Sequence, residues 1–296
     1  METLRIQLFG SLSIMTDVQV LDGAATRKSR ALLAYLILAK NRPVARELIA
    51  AAFWGDLPED RARRALNTDF WRLRQVLLRG GLEPARYLDS NHDDIRFRTE
   101  TSSVDALDFT ATLGKATQRP PETASDAELA DLSAAVSLYR GDFLEGVYDE
   151  WSLQQREHFQ VRYQSALDYL LRATLARDHH DEAVRIGTKL LQLDPLQEHV
   201  HRILMRCHVA LGDRPRAIVQ YRQCEAFLNQ HLGIEPMQET KQLYGQLAHI
   251  TPGQHQAPIA SKGALLQLRE AVNHVESARQ SLNELNATLH QQDRDH

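Results

Sequence analysis

Polar and apolar positions alternate at the start of the chain. Leu4, Ile6 and Leu8 are apolar and Arg5 and Gln7 between them are polar, the period of a strand with one buried face. Gly10 and Asp22-Gly23 mark turns, so residues 4–22 are expected to form short antiparallel strands. The period then lengthens. Leu32, Leu33, Tyr35, Leu36 and Ile37 give residues 29–40 the apolar side of a helix, which Asn41-Arg42-Pro43 stops. A second short helix is expected over 45–53, and Leu57-Pro58-Glu59-Asp60 leads into a third. In that third helix, at 100° per residue, Leu66, Phe70, Leu73 and Leu77 share one narrow stripe, while Arg61, Arg64, Thr68, Trp71, Arg72 and Gln75 fall on the opposite arc. After Gly80-Gly81, the segments Tyr87-Leu88-Asp89 and Ile95-Arg96-Phe97-Arg98 flank a polar turn. They predict a hairpin whose outer strand carries Arg96 and Arg98 on one face.

Strands, three helices and a basic hairpin in this order predict a winged helix-turn-helix over residues 1–99. In that arrangement the third helix can enter a DNA major groove while the hairpin reaches an adjacent phosphate. The residue types suit the task, because guanidinium groups pair with phosphates and guanine edges and short polar side chains read base edges. On an isolated helix the same arc would be an ordinary solvated face; the surrounding elements are what give it a target.

From Val104 onward the pattern is helical, interrupted early by Arg119-Pro120-Pro121-Glu122-Thr123. An offset of 34 residues aligns Leu175 with Val209, Asp178 with Gly212, Ala183 with Ala217 and Val184 with Ile218. Leu193-Asp194-Pro195 closes one unit, and Ile234-Glu235-Pro236 closes the next after an insertion of seven residues. This is the period of a tetratricopeptide-like repeat, whose stacked helix pairs bind proteins, peptides or small effectors more often than they catalyse reactions. The fold class expected is therefore mainly α: a winged helix-turn-helix (α+β), an all-α tetratricopeptide-like domain over 103–248, and a C-terminal helix. A Pro-, Gly- and Gln-containing linker spans 249–263. In the helix expected over 264–291, Leu265, Leu268, Val272, Val275, Leu282 and Leu289 follow a heptad, with Arg279 and Asn286 at the remaining seam positions. That seam either makes a homodimer, through Leu268, Val272, Val275 and Leu282, or docks on the preceding domain.

Composition narrows the classes. The chain has 296 residues, and residues 1–98 hold 16 Lys+Arg against 12 Asp+Glu, leaving 19 against 27 for the remainder. A basic head on an acidic body fits a DNA-binding unit attached to a protein-facing one. The longest apolar run, residues 31–39, is too short to span a bilayer, and the N-terminus lacks the pattern of a secretory leader. A cytoplasmic location without membrane partners is expected. Cys207 and Cys224 have neither framework nor zinc spacing, and His179, His180, His199, His201 and His208 lack a converging ligand set. With no phosphate-binding loop and no nucleophile elbow in the sequence, neither enzyme activity nor a cofactor or metal is expected.

Several blocks now stand in order: Leu4-Arg5-Ile6-Gln7-Leu8-Phe9-Gly10, Arg30-Ala31-Leu32-Leu33-Ala34-Tyr35-Leu36 and Arg72-Leu73-Arg74 in the head. In the body they are Tyr139-Arg140-Gly141-Asp142-Phe143-Leu144-Glu145-Gly146, Trp151-Ser152-Leu153-Gln154-Gln155-Arg156-Glu157, Leu193-Asp194-Pro195-Leu196-Gln197-Glu198 and Leu232-Gly233-Ile234-Glu235-Pro236. Across roughly residues 1–248 the chain resembles the bacterial antibiotic-regulatory activators of the SARP type. These join a response-regulator-like winged helix to a bacterial transcriptional activator domain.

The resemblance implies a transcription factor that binds direct repeats in double-stranded promoter DNA and contacts RNA polymerase holoenzyme. It places groove reading on Arg64, Asn67, Thr68 and Trp71, near Arg61, and phosphate contacts on Lys28, Arg72, Arg74 and the wing residues Arg96 and Arg98. The acidic stretch Asp56, Glu59 and Asp60 would be repelled by phosphates, which together with the resemblance points it toward the polymerase. Asp69 and the bulky Trp71 depart from what a basic groove-facing arc favours. An effector-gated repressor with the same head, and a tetratricopeptide-like adaptor that binds no DNA, are the alternatives. The head alone, residues 1–98, is expected to bind DNA.

Overall fold

The computed structural model describes residues 4–21 and 25–249. The remainder of the linker and the C-terminal helix, with Leu268, Val272, Val275 and Leu282, lie outside the described residues. The alternating start forms β1 (Leu4–Gln7), which pairs antiparallel with β2 (Ser13–Met15), Ile6 opposite Ile14. A strand missed in the sequence, β6 (Ser102–Val104), pairs parallel with the other edge of β1, placing Leu4 opposite Ser102 and Ile6 opposite Val104. Everything between these strands is held by that sheet, of order β2-β1-β6.

The enclosed segment is α1 (Arg27–Leu38), β3 (Val44–Ala45), α2 (Arg46–Trp54), α3 (Glu59–Arg79), α4 (Pro84–Tyr87), β4 (Leu88–Ser90) and β5 (Asp94–Phe97). Thr26 caps α1 by accepting the Ser29 N–H at 3.1 Å. Lys40 and Asn41 adopt left-handed backbone angles that end α1, and the Asn41 side chain then accepts the Thr99 N–H at 2.7 Å. Leu66, Phe70, Leu73 and Leu77 of α3 are buried against Leu32, Leu36 and Ile49, as their stripe predicts. The wing differs from expectation in one respect: β5 is the middle strand of a second sheet, order β3-β5-β4, and not its outer edge. Val44 of β3 pairs opposite Ile95, a two-residue strand too short to leave a period in the sequence.

The body consists of α5 (Asp105–Ala116), a 3-10 turn (Pro121–Thr123), α6 (Asp126–Leu138), α7 (Glu150–Leu175), α8 (His180–Leu193), α9 (Glu198–Ala210), α10 (Arg214–Leu232) and α11 (Gln238–His249). Helices α7 to α10 pack in sequence order, each on the next. The 34-residue offset has a concrete cause. Asp178 and Gly212 are the left-handed residues of the α7–α8 and α9–α10 turns, with φ of 57° and 77°. Ala183 and Ala217, each the fourth residue of the second helix of its pair, are fully buried. Gly187 lets α8 approach α9, since a Cβ there would lie 2.6 Å from Leu204 Cδ2. The insertion arises mainly because α10 has 19 residues where α8 has 14.

The head and body are joined by more than a chain crossing. The buried Asp105 carboxylate accepts the backbone N–H groups of Leu8 (2.8 Å), Phe9 (3.1 Å) and its own neighbour Ala106 (2.7 Å). Burial pushes its pKa up, against the three N–H bonds, which pull it down. Phe9 inserts among Phe109, Tyr139 and Phe159, with ring centroids 5.7, 4.6 and 5.3 Å away. Residues 142–145 then line up beside the same strand end. Gly10 donates to Asp142 O (2.8 Å), Leu144 to Leu8 O (2.9 Å) and Glu145 to Gly10 O (2.9 Å). Trp151 of α7 packs on Tyr35 of α1 and Phe53 of α2, at 5.2 and 5.6 Å. Residues up to 248 thus form one compact unit. This revises the expectation for a fragment of residues 1–98: such a piece lacks β6 and exposes Phe9, so binding experiments need the full chain.

Two outcomes follow for stability. Asp105→Ala leaves three buried N–H groups without their acceptor and should cost about 2–4 kcal/mol, read as a lower urea midpoint, with Asp105→Asn costing less. In the body, His201 is buried between Pro195 O (3.0 Å from Nε2) and the Gln220 amide (2.7 Å from Nδ1), which fits the neutral ring donating from Nε2 and accepting at Nδ1. Burial lowers the pKa of His201 and of His208. The unfolded chain therefore binds these protons more readily. Their contribution to stability is full above the unfolded value of about 6.5 and is lost as pH falls from there toward the lower folded values. Denaturant midpoints measured across pH 8 to 5 should fall below about pH 6.5, and His201→Gln should flatten that fall.

Candidate nucleic-acid interface

Helix α3 begins where Pro58 fixes the entry and Glu59 and Asp60 occupy the first turn, a placement that favours acidic side chains at the positive end of the helix dipole. Glu59 sits 3.7 Å from Arg63, and the Asp60 carbonyl accepts Arg64 Nε at 3.1 Å. The acidic stretch Asp56, Glu59 and Asp60 is consequently divided: the connector is residues 55–58, with Asp56 its one carboxylate. Glu59 and Asp60 are helix-starting residues. Asp56 is exposed, as is Leu57 beside it.

The outward surface of α3 brings the expected groove readers together. Arg61, Arg64, Asn67, Thr68, Trp71 and Arg74 are all exposed, and Trp71 keeps 59% of its surface in solvent. Thr68 donates its hydroxyl to Arg64 O at 2.9 Å. Among the described residues the side chains of Arg61 and Arg74 make no ion pair or hydrogen bond. With Arg64, they leave three guanidinium groups without a carboxylate partner on one helix surface.

The other expected phosphate contacts are differently occupied. Lys28 donates to the Phe53 carbonyl at 2.6 Å and lies 5.1 Å from the Trp54 ring. It closes the C-terminal end of α2, where a cation meets unpaired carbonyls. Arg72 pairs with Asp69 at 2.9 Å. Asp69 also resolves the apparent misfit of an acid in a basic helix. It is 5% exposed, faces inward, and accepts the Thr26 hydroxyl at 3.1 Å, binding α3 to the cap of α1.

The wing arginines are likewise paired. Asp89 and Arg96 stand opposite each other across β4 and β5, and the Asp89 carboxylate takes both Arg96 and, at 3.0 Å, Arg98. These two bonds hold its pKa below the usual carboxylate range. Arg96 and Arg98 line a hollow with Asn41, Arg86, Glu100 and Thr101, to which α3 contributes no residue.

One residue of this surface left no signal in the sequence. Arg46, the first of α2, donates Nη1 to Asn67 Oδ1 at 2.9 Å and Nε to the Asn91 carbonyl of the wing turn at 3.1 Å. Its guanidinium lies 5.9 Å from the Phe70 ring centroid. Burial and the nearby Arg63 lower its pKa. An arginine between two helices reads as surface charge; only the tertiary meeting of wing tip and α3 gives it partners. The wing turn is itself set by Asn91, whose side chain accepts the N–H groups of Asp93 (2.8 Å) and Asp94 (2.6 Å).

A three-helix unit with a wing, an exposed basic third helix and a stacked helical body defines a winged helix-turn-helix protein with a tetratricopeptide-like domain. Residues 104–248 match the family model of the bacterial transcriptional activator domain, and the chain resembles the SARP-type regulators built on that pairing. It is 27% identical over 252 residues to the regulatory protein AfsR of Streptomyces coelicolor, an alignment covering 84% of this chain and 24% of that protein. It is 24% identical over 229 residues to the transcriptional regulatory protein MoaR1 of Mycobacterium tuberculosis, covering 77% of this chain and 74% of that one. The chain thus spans about a quarter of the length of AfsR. Among solved structures, Mycobacterium tuberculosis EmbR in complex with a low-affinity phosphopeptide superposes with a TM-score of 0.68 at 21% identity, covering 94% of this chain and 72% of that one. That likeness concerns the fold.

The shared carboxylate of the wing yields a direct test. Asp89→Ala releases two guanidinium groups, so the full chain should elute from a heparin column at higher salt than the wild type; unchanged elution would show that Arg96 and Arg98 face away from any polyanion.

Proposed function

We propose that this chain is a sequence-specific DNA-binding transcriptional regulator that reads the major groove of promoter DNA with α3 and activates by recruiting RNA polymerase. The observation that carries the reading is the surface of α3 itself. Arg61, Arg64 and Arg74 carry no acidic partner there and share the helix with exposed Asn67, Thr68 and Trp71. Uncompensated cations in that number supply phosphate attraction, and the short polar residues between them supply base contacts. The relatives' names as transcriptional regulators and the activator domain of residues 104–248 agree with it. Promoters carrying direct repeats suit a chain that pairs with a second copy. A cytoplasmic location follows from a bacterial DNA target. Among the described residues no helix is long and apolar enough to cross a membrane.

For polymerase, the exposed connector of residues 55–58 is the proposed contact. It projects between α2 and α3, and the acidic Asp56 does not compete for phosphates.

Two measurements test these proposals. In titrations of the full chain with a randomised duplex library, three released counterions give a log–log salt slope of about 3, at roughly 0.9 per phosphate. Replacing Arg64 and Asn67 by alanine should cut discrimination between enriched and random sites by roughly tenfold or more; a chain that shifts no duplex at low salt refutes the DNA reading. In transcription with purified polymerase at saturating promoter occupancy, Asp56→Ala should lower transcript without changing DNA affinity. Full transcript from that variant moves the contact elsewhere, to the helical body.

A further inference from the structure

Asparagine on a recognition helix has two ways to meet a base. With its amide free, it offers a donor and an acceptor side by side, which matches the N6 donor and N7 acceptor of adenine. In this chain the amide is not free. The Arg46 guanidinium has donors only, so the atom it meets at 2.9 Å must be Asn67 Oδ1. That contact turns the Nδ2 amino group away from Arg46, and among the described residues Nδ2 has no partner within the chain. Arg46 cannot easily rotate off. Its Nε is held by Asn91 O at 3.1 Å, its own backbone N–H donates to Asp93 O at 2.8 Å, and its planar group lies against Phe70. The positive charge beside Oδ1 also draws electron density from that oxygen and strengthens the Nδ2 donors.

We infer that Arg46 is a positioning residue that fixes Asn67 as a hydrogen-bond donor, so that Asn67 selects a base presenting only acceptors in the major groove, guanine through N7 and O6 or thymine through O4, and disfavours adenine. This rests on the DNA-binding reading above and adds to it the chemistry of one base position. The wing turn takes part, because the carbonyl that holds Arg46 belongs to Asn91. The conformation of the wing and the base preference of α3 are thereby linked through one side chain.

The test uses the full chain and a randomised duplex library, with wild type, Asn67→Ala, Arg46→Met and Arg46→Lys selected in parallel. Asn67→Ala identifies the base position read by Asn67, as the one at which preference disappears. Wild type should show guanine or thymine there, and the library tells which. Arg46→Met should move that single position toward adenine and leave the base preference at the other positions unchanged; Arg46→Lys should restore part of the original preference. If the base is guanine, substituting 7-deazaguanine in the enriched site should weaken wild type by roughly tenfold and Asn67→Ala hardly at all. Adenine at the Asn67 position in wild type overturns the inference. So does an Arg46→Met variant that keeps the wild-type preference at that position, whatever its overall affinity, the behaviour of a phosphate contact. A wild-type chain that enriches no sequence overturns the DNA reading, and this inference with it.

Discussion

The end of the first strand holds the molecule together. Leu8 and Phe9 present two N–H groups where no further strand residue can take them, and the Asp105 carboxylate accepts both from inside the core. A buried ionisable group is costly unless its lone pairs are filled, and here three backbone donors fill them. Because Asp105 is also the first residue of α5, the same contact sets where the helical body starts relative to β1. Phe9 then carries the head's strand into the body's aromatic cluster, and Trp151 returns the contact onto α1 and α2. The helix that faces outward and the helices that stack behind it are parts of one packed object.

Electrostatics within the head sorts its basic residues into two kinds. Lys28 and Arg72 are structural: one closes α2, the other balances the buried Asp69 that ties α3 to the α1 cap. Arg96 and Arg98 share the Asp89 carboxylate, so that trio carries one net positive charge and not two. The remaining exposed arginines of α3 are what a polyanion would meet. A count of Lys and Arg overstates the field of such a head, since it weights a helix cap and an unpaired guanidinium alike.

Much of the fold could be read from the chain because the informative periods were long. Five alternating residues gave β1, about three turns of apolar spacing gave α3, and the Asp178 and Gly212 match pointed to two equivalent turns. What escaped was short or non-local. The two residues of β3 and the three of β6 carry no period, and β6 pairs with a strand nearly a hundred positions earlier. Asp89 of β4, Arg96 of β5 and Arg98 just after it could be seen, but their pairing depends on a register that only the folded hairpin supplies. Asp69 looked like an intrusion because helical periodicity gives an angle and not a partner. The role of Arg46 required α2, α3 and the wing turn to meet, and no spacing along one element encodes that.

The parallel pairing of β1 with β6 also governs the order in which the chain can become itself during synthesis. Leu4, Ile6, Leu8 and Phe9 are made well before their partners at 102–105 and 142–145, which come last among the contacts that bury them. At ribosomal rates of about 5–20 residues per second, the nascent strand waits several seconds with an unpaired edge. Closing so large a loop is slow, since its entropy must be lost before the pairing rewards it. The helices of the head can form early, but the edge of the strand that anchors them stays open to foreign partners until residues 102–104 have been made.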